Sequence, residues 1–147
     1  MIAYLDTSAL AKWYIAEPES DRFEAWLADV ADAVISRLTM VEMRCLLARR
    51  RRAGTLSVAL ESMVYGRFTE QVAAGHLRMV AMPEGLLVDA LRLIERLRDV
   101  PLRTLDALHL AAAQRASATT VATADAVMRE AATALGLDVR FFGARVG

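Results

Sequence analysis

Short apolar runs alternate with longer stretches of helical periodicity along most of the chain. Ile2 to Asp6 is an apolar run that ends in an acid and leads at once into Thr7-Ser8-Ala9-Leu10, which predicts a buried strand presenting Asp6 at its carboxyl end. Ala9 to Ile15 reads as a short helix, and Glu17-Pro18-Glu19-Ser20 as a turn into a second helix, Asp21 to Val30, with Phe23, Trp26, Leu27 and Val30 on one face. Ala33-Val34-Ile35-Ser36 is too short and too apolar for a helix and predicts a second buried strand. Thr39 to Arg52 then reads as a long helix closed by Gly54, and Ser57 to Ala74 as another ending near Gly75. Leu77 to Met82 predicts a strand before Pro83. Glu84 to Arg98 repeats apolar residues at Leu87, Leu91, Ile94 and Leu97, the stripe of a helix, and Pro101 ends that segment. A helix from about Leu105 to Ala116, a strand Thr119 to Thr123, a helix Ala126 to Leu135 ended by Gly136 and a last strand Val139 to Phe142 complete the pattern. Strand and helix in alternation predict a parallel sheet covered by helices on both faces.

Composition narrows the chemistry. The chain has 147 residues, 56% of them apolar, which suits one domain over residues 1–147 with a core on both faces of a sheet. Eighteen basic and eighteen acidic residues balance to zero, so a nucleic-acid or membrane role has to come from local patches. A lone Cys45 forms no internal disulfide or cysteine metal cluster, and His76 and His109 are too few for a histidine-rich zinc site. No basic leader precedes the first apolar run, and no stretch reaches the roughly 18 uninterrupted apolar residues of a membrane span. The expectation is a soluble, cytoplasmic protein.

The acids carry the chemical signal. Glu42 lies on the apolar side of its helix, with Leu38 and Leu46 a turn away on either side and Cys45 beside it. Thr104 to Ala113 is apolar nearly all round, hence buried, and its only charged residue is Asp106. A buried carboxylate has to be protonated or paired. Two structural roles compete for Asp106: a cap on its own helix, or an ion pair with Arg103. Asp125 follows a strand and begins a helix, so its structural role is also a cap. Asp6 and Asp125 stand at carboxyl ends of strands, where ligands bind in open α/β sheets, and Glu42 and Asp106 lie on helices that begin near such ends. Four carboxylates in one crevice repel one another, yet suit hard divalent cations held by oxygen ligands and water. Thr7, Ser8, Ser36, Thr104 and Thr123 stand beside them as hydroxyl donors or local caps. His109 and Cys45 read as packing residues. Trp13, Tyr14 and Trp26 read as core or subunit interface. The run Arg49-Arg50-Arg51-Arg52 reads as a solvated helix end or as a contact to an RNA backbone.

Leu5-Asp6-Thr7-Ser8-Ala9-Leu10, Ser36-Arg37-Leu38-Thr39 leading to Glu42, Leu102-Arg103-Thr104-Leu105-Asp106-Ala107 and Val121-Ala122-Thr123-Ala124-Asp125 together resemble the PIN domain family, in particular the VapC-type toxins of toxin–antitoxin pairs. The resemblance spans nearly the whole chain in order. It implies an α/β/α sandwich around a central, mainly parallel sheet of four to five strands, and a Mg²⁺- or Mn²⁺-dependent endoribonuclease that hydrolyses phosphodiester bonds. By the same resemblance Asp6, Glu42, Asp106 and Asp125 are the catalytic and metal-site acids, with Thr7, Ser8 and Thr104 supporting them. The family often follows the last acid with a charged and then an aromatic residue, whereas Ala126, Val127 and Met128 follow here, so Asp125 acts directly or through water. The resemblance also implies a homodimer and a cognate antitoxin that covers the site with a basic side chain, with the aromatic surface around Trp13 and Tyr14 as the expected contact.

Competing classes remain. A Mg²⁺-dependent phosphatase with an aspartyl nucleophile usually carries a second Asp two residues after the first, where Ser8 stands. A phosphorelay receiver needs a lysine late in the chain, and Lys12 is the only one. A PIN-fold binding module without activity would keep the fold and lose the chemistry, and activity on RNA separates it from an enzyme.

Overall fold

A computed structural model describes residues 1–144, so residues 145–147 of the expected domain lie outside the described residues. Five strands, β1 (Ile2–Leu5), β2 (Asp32–Ser36), β3 (Arg78–Val80), β4 (Thr120–Thr123) and β5 (Asp138–Phe141), form one sheet in the order β3-β2-β1-β4-β5. Every pairing is parallel. Around it lie α1 (Thr7–Leu10), continued by a 3-10 turn (Ala11–Trp13), then α2 (Ser20–Leu27), α3 (Arg37–Arg52), α4 (Val58–Ala73), α5 (Gly85–Arg96), α6 (Thr104–Arg115) and α7 (Ala126–Ala134). The architecture is an α/β/α sandwich. β1 is central, and Tyr4 pairs with Val34 on one side and Val121 on the other.

Alternation along the strands sorts their side chains into two cores. Tyr4, Val34 and Val121 point to the face covered by α5, α6 and α7. Ala3, Leu5, Ala33, Ile35 and Ala122 point to the opposite face, where Phe23, Met43, Leu47 and Phe68 of α2, α3 and α4 meet them. Asp106 to Ala113 of α6 are all buried, as expected for a helix apolar on every side. Among the described residues no helix is long and apolar enough to cross a membrane.

Three expectations from the pattern are corrected. On α5 the buried residues are Leu86, Ala90 and Leu93, followed by Leu97, whereas Leu87, Leu91 and Ile94 of the expected stripe are 62%, 56% and 38% exposed. The sequence Gly85-Leu86-Leu87-Val88-Asp89-Ala90-Leu91-Arg92-Leu93-Ile94 carries two apolar stripes one residue apart, and packing against α6 selects the first. On α3 the core face is Thr39, Met43 and Leu47, while Leu38, Glu42, Cys45 and Leu46 line a pocket, with Cys45 exposed rather than packed. Trp13 and Tyr14 are half-buried and pack against the core under α2 to α4, which bears out their reading as core residues and corrects only the exposed aromatic surface expected around them. Their rings sit 5.4 Å apart, and Tyr14 hydrogen-bonds Gln71.

The register of α5 can be measured. Leu93→Ala is expected to cost about 2–5 kcal/mol as a core truncation, and Leu91→Ala to stay within about 0.5 kcal/mol as a surface change. Urea unfolding at low protein concentration reads both, and the reverse ranking would restore the other stripe.

Candidate active site

The carboxyl ends of β1, β2 and β4 bring the acids together. β1 ends at Leu5, and Asp6 follows with 7% exposure before the chain turns into α1. β2 runs directly into α3, which carries Glu42 in its second turn. Asp125 follows β4 and starts α7, and Asp106 lies at the third position of α6. All four line one open pocket of about 340 Å³, with Thr7, Ser8, Arg49 and Arg103 among its walls.

Hydroxyls orient the first acid. Asp6 Oδ2 accepts hydrogen bonds from Ser8 Oγ and Thr123 Oγ1, both at 2.7 Å. The same two oxygens accept the backbone N–H groups of Ala124 and Asp125 at 3.0 Å, so the ends of β1 and β4 are tied at the site. Gly143 lies where the chain after β5 passes this loop: an added Cβ would come within 2.5 Å of the Ala124 carbonyl oxygen and 2.4 Å of the Phe141 ring. Thr7 supports Glu42 rather than Asp6, donating to Oε1 at 2.9 Å. Thr104 is exposed at the rim and makes no hydrogen bond to the acids among the described residues.

Positive charge sits between the carboxylates. His109 Nε2 hydrogen-bonds Glu42 Oε1 and lies 3.9 Å from Asp6 Oδ1. Its Nδ1 is 2.6 Å from the Tyr4 hydroxyl, which also hydrogen-bonds Ser36 Oγ at 3.0 Å. Either partner can donate in the bond between Nδ1 and the Tyr4 hydroxyl, while Nε2 meets the Glu42 carboxylate, an arrangement that favours the protonated ring. Burial alone would lower the His109 pKa, but the Glu42 hydrogen bond and the charges of Asp6, Glu42 and Asp106 outweigh it and raise it above the ordinary value. Burial pushes the Glu42 carboxyl up, and the bond and charge of His109, with Thr7 and Arg49, hold it below the usual range. Burial leaves Asp6 raised, opposed by His109, Thr123 and Ser8 and reinforced by Glu42. Burial also drives the Tyr4 phenol up, so it stays protonated.

Arg103 is the second cation. Its Nε lies 3.2 Å from Asp106 Oδ2 and its terminal nitrogen 3.2 Å from Asp125 Oδ2. Asp106 Oδ2 also accepts the backbone N–H of Arg103, and Asp125 Oδ1 caps α7 through Val127 and Met128. The structural roles that competed for Asp106 and Asp125 are thus both present, alongside their place in the pocket. The four acids do not stand as an unrelieved negative cluster. No group of three His, Cys, Asp or Glu residues is arranged to hold one ion among the described residues. The donors nevertheless fit a hard divalent cation: all are oxygens, and Asp6 Oδ1 makes no hydrogen bond among the described residues. The sequence pattern gives His109 only a packing role and does not reach the pairing of Arg103 with Asp125. The signal for His109 was a titratable residue one turn from Asp106 in an otherwise apolar helix.

The PIN domain model matches residues 3–134. Ribonuclease VapC46 of Mycobacterium tuberculosis is 35% identical over 142 residues, an alignment covering 92% of this chain and 94% of the relative. FitAcB from Neisseria gonorrhoeae superposes with a TM-score of 0.70 at 21% identity, over 94% of this chain and 96% of that one. VapC20 of M. tuberculosis, a sarcin–ricin-loop-cleaving toxin, superposes with a TM-score of 0.69 at 15% identity, over 88% and 94%. The two structures share the fold.

The charge on His109 has a pH signature. A pKa raised by folding contributes stability that is complete below the unfolded value, here 6.5, and is lost as pH rises through the folded value. In EDTA the melting-temperature advantage of the parent over His109→Gln is therefore expected to shrink as pH climbs above about 6.5. An advantage that does not change with pH would mean a neutral ring.

Proposed function

The chain belongs to the PIN domain family, and we propose that it is the ribonuclease toxin of a toxin–antitoxin pair, an endoribonuclease using Mg²⁺ or Mn²⁺. The observation that carries this reading is the meeting of Asp6, Glu42, Asp106 and Asp125, from four separate segments, in one pocket at the carboxyl ends of a parallel sheet. The likeness to ribonuclease VapC46 along nearly all of both chains supports the same chemistry.

In this reading Asp6 and Asp106 would hold the ion, Glu42 would orient a second ion or its water, and Asp125 would act directly or through water. When bound, such a cation supplies Lewis-acid activation of water and neutralises charge on the phosphoryl oxygens. The chain's own residues set the stage. Ser8 and Thr123 hold Asp6 by Oδ2 and leave Oδ1 free of hydrogen bonds among the described residues, and Thr7 and His109 hold Glu42 from two sides. Arg103 is mostly exposed, so its pairs with Asp106 and Asp125 are weak and exchangeable. No protein nucleophile is required.

The same reading assigns an RNA substrate, a cytoplasmic site of action, a homodimer and a cognate antitoxin. Leu87, Val88, Leu91 and Ile94 give α5 an exposed apolar face of the kind that marks protein contacts. Arg103 shows that a guanidinium fits between Asp106 and Asp125, so an antitoxin arginine placed among the acids would block them by the same chemistry.

Purified protein is expected to cleave RNA with Mg²⁺ or Mn²⁺ and to stop in EDTA, with Asp6→Asn inactive. Cleavage that survives both changes would sink the mechanism. Metal at about 100 times its dissociation constant should stabilise the parent by about 2.7 kcal/mol and barely affect Asp106→Asn; equal shifts in thermal melts would remove Asp106 from the ion. Expression from the native operon should yield a complex with a small partner protein, and recovery of a lone monomer would overturn the antitoxin and dimer assignments.

A further inference from the structure

The arginine run at the end of α3 is divided by the fold. Arg50 donates to Glu17 at 2.6 Å, and Arg51 pairs with Glu61 of α4, whose side chain is buried. These two residues tie α3 to its neighbours. Arg52 is exposed and makes no ion pair among the described residues. Arg49 differs from all three. It lies two turns beyond Glu42 on the same face of the helix, lines the acid pocket, and makes no ion pair among the described residues.

Arg49 also lines an adjoining pocket of about 420 Å³ with Glu42, Arg103, Thr104, Leu105 and Asp106. Two guanidinium groups, both on exposed residues, therefore border one cavity that continues into the acid site. The exposed Thr104 hydroxyl adds a hydrogen-bond donor on its rim. Four carboxylates repel a polyanion, and a nuclease built on them needs fixed cations close by to hold the strand. Guanidinium groups meet phosphate oxygens through paired N–H donors. We propose that this second pocket is a phosphate subsite, in which Arg49 and Arg103 grip an RNA backbone phosphate next to the one presented to the acids. The proposal rests on the ribonuclease reading and adds to it the part of the substrate that the acids do not touch. The pairs of Arg103 with Asp106 and Asp125 are exposed and exchangeable, so Arg103 can turn from the carboxylates to the RNA phosphate with or without a cation in the site.

The test is binding without cleavage. Metal-free protein in EDTA is titrated with a fluorescein-labelled single-stranded RNA of roughly 12 nucleotides, by anisotropy, at several KCl concentrations. Removing one side chain that touches a phosphate of a single strand flattens the plot of log affinity against log salt by about 0.7. Arg49→Gln and Arg103→Gln are each expected to flatten it by that amount, with Arg52→Gln matching the parent. Equal slopes in all four proteins, or an Arg52→Gln effect as large as that of Arg49→Gln, would overturn the subsite in favour of diffuse attraction. Failure of the parent to bind RNA would overturn it too. If Arg49→Gln spares RNA but weakens a polyglutamate peptide, the pocket serves an acidic protein segment and the proposal falls. Cleavage by the parent in Mg²⁺ is scored separately. A cleaving enzyme with unchanged slopes loses only the subsite, whereas the expected slope pattern without cleavage keeps the subsite and loses the catalytic reading.

Discussion

A buried imidazole wedged between carboxylates is the interaction on which the site depends. Glu42 and Asp6 reach the same cavity from different segments, and without a cation between them the desolvation and mutual repulsion of two acids would oppose folding. His109 supplies that charge from α6, and Tyr4 and Ser36 fix its ring from behind. Arg103 does the same for Asp106 and Asp125 at the exposed side. The inner cation is locked by burial and the outer one is free to leave, so the pocket is stable as it stands and still open to exchange at its mouth.

The sheet makes this arrangement possible. In a wholly parallel sheet every strand delivers its next residues to the same edge, and the central place of β1 sets Asp6 between the ends of β2 and β4. Ser8 and Thr123 then lock the two loops together through hydroxyls that serve the carboxylate and the backbone at once. α6 can lie buried against the sheet because Ala111, Ala112 and Ala113 keep it thin. That position carries Asp106 and His109 to the acids from behind the strand edge.

Charge on the outside of the pocket follows a division of labour. Arg50 and Arg51 are engaged in holding α3 to Glu17 and Glu61, whereas Arg49 and Arg103 face the cavity. A chain with zero formal net charge can thus present a local basic rim to a polyanion while keeping an acidic centre. The apolar face of α5 lies outside this region, on residues that the core leaves unused.

What the sequence determined by itself was the order and kind of the elements, the parallel sheet, the burial of α6 and the four acids. These follow from periodicity within single segments and from polar residues placed where apolar ones belong: Asp6 at the end of an apolar run, Asp106 alone in an apolar helix. The PIN family motifs lay in the same short stretches. Tertiary structure alone decided which of two adjacent stripes on α3 and α5 is buried, because apolar residues on more than one face leave several orientations open until α6 and the sheet choose among them. It alone brought His109 to Tyr4, 105 residues away, and to Glu42, 67 residues away. It alone separated Arg49 from the two arginines beside it. Local patterns record contacts one turn or one strand apart, and the charge pairs that make this site workable are made between segments that only packing brings together.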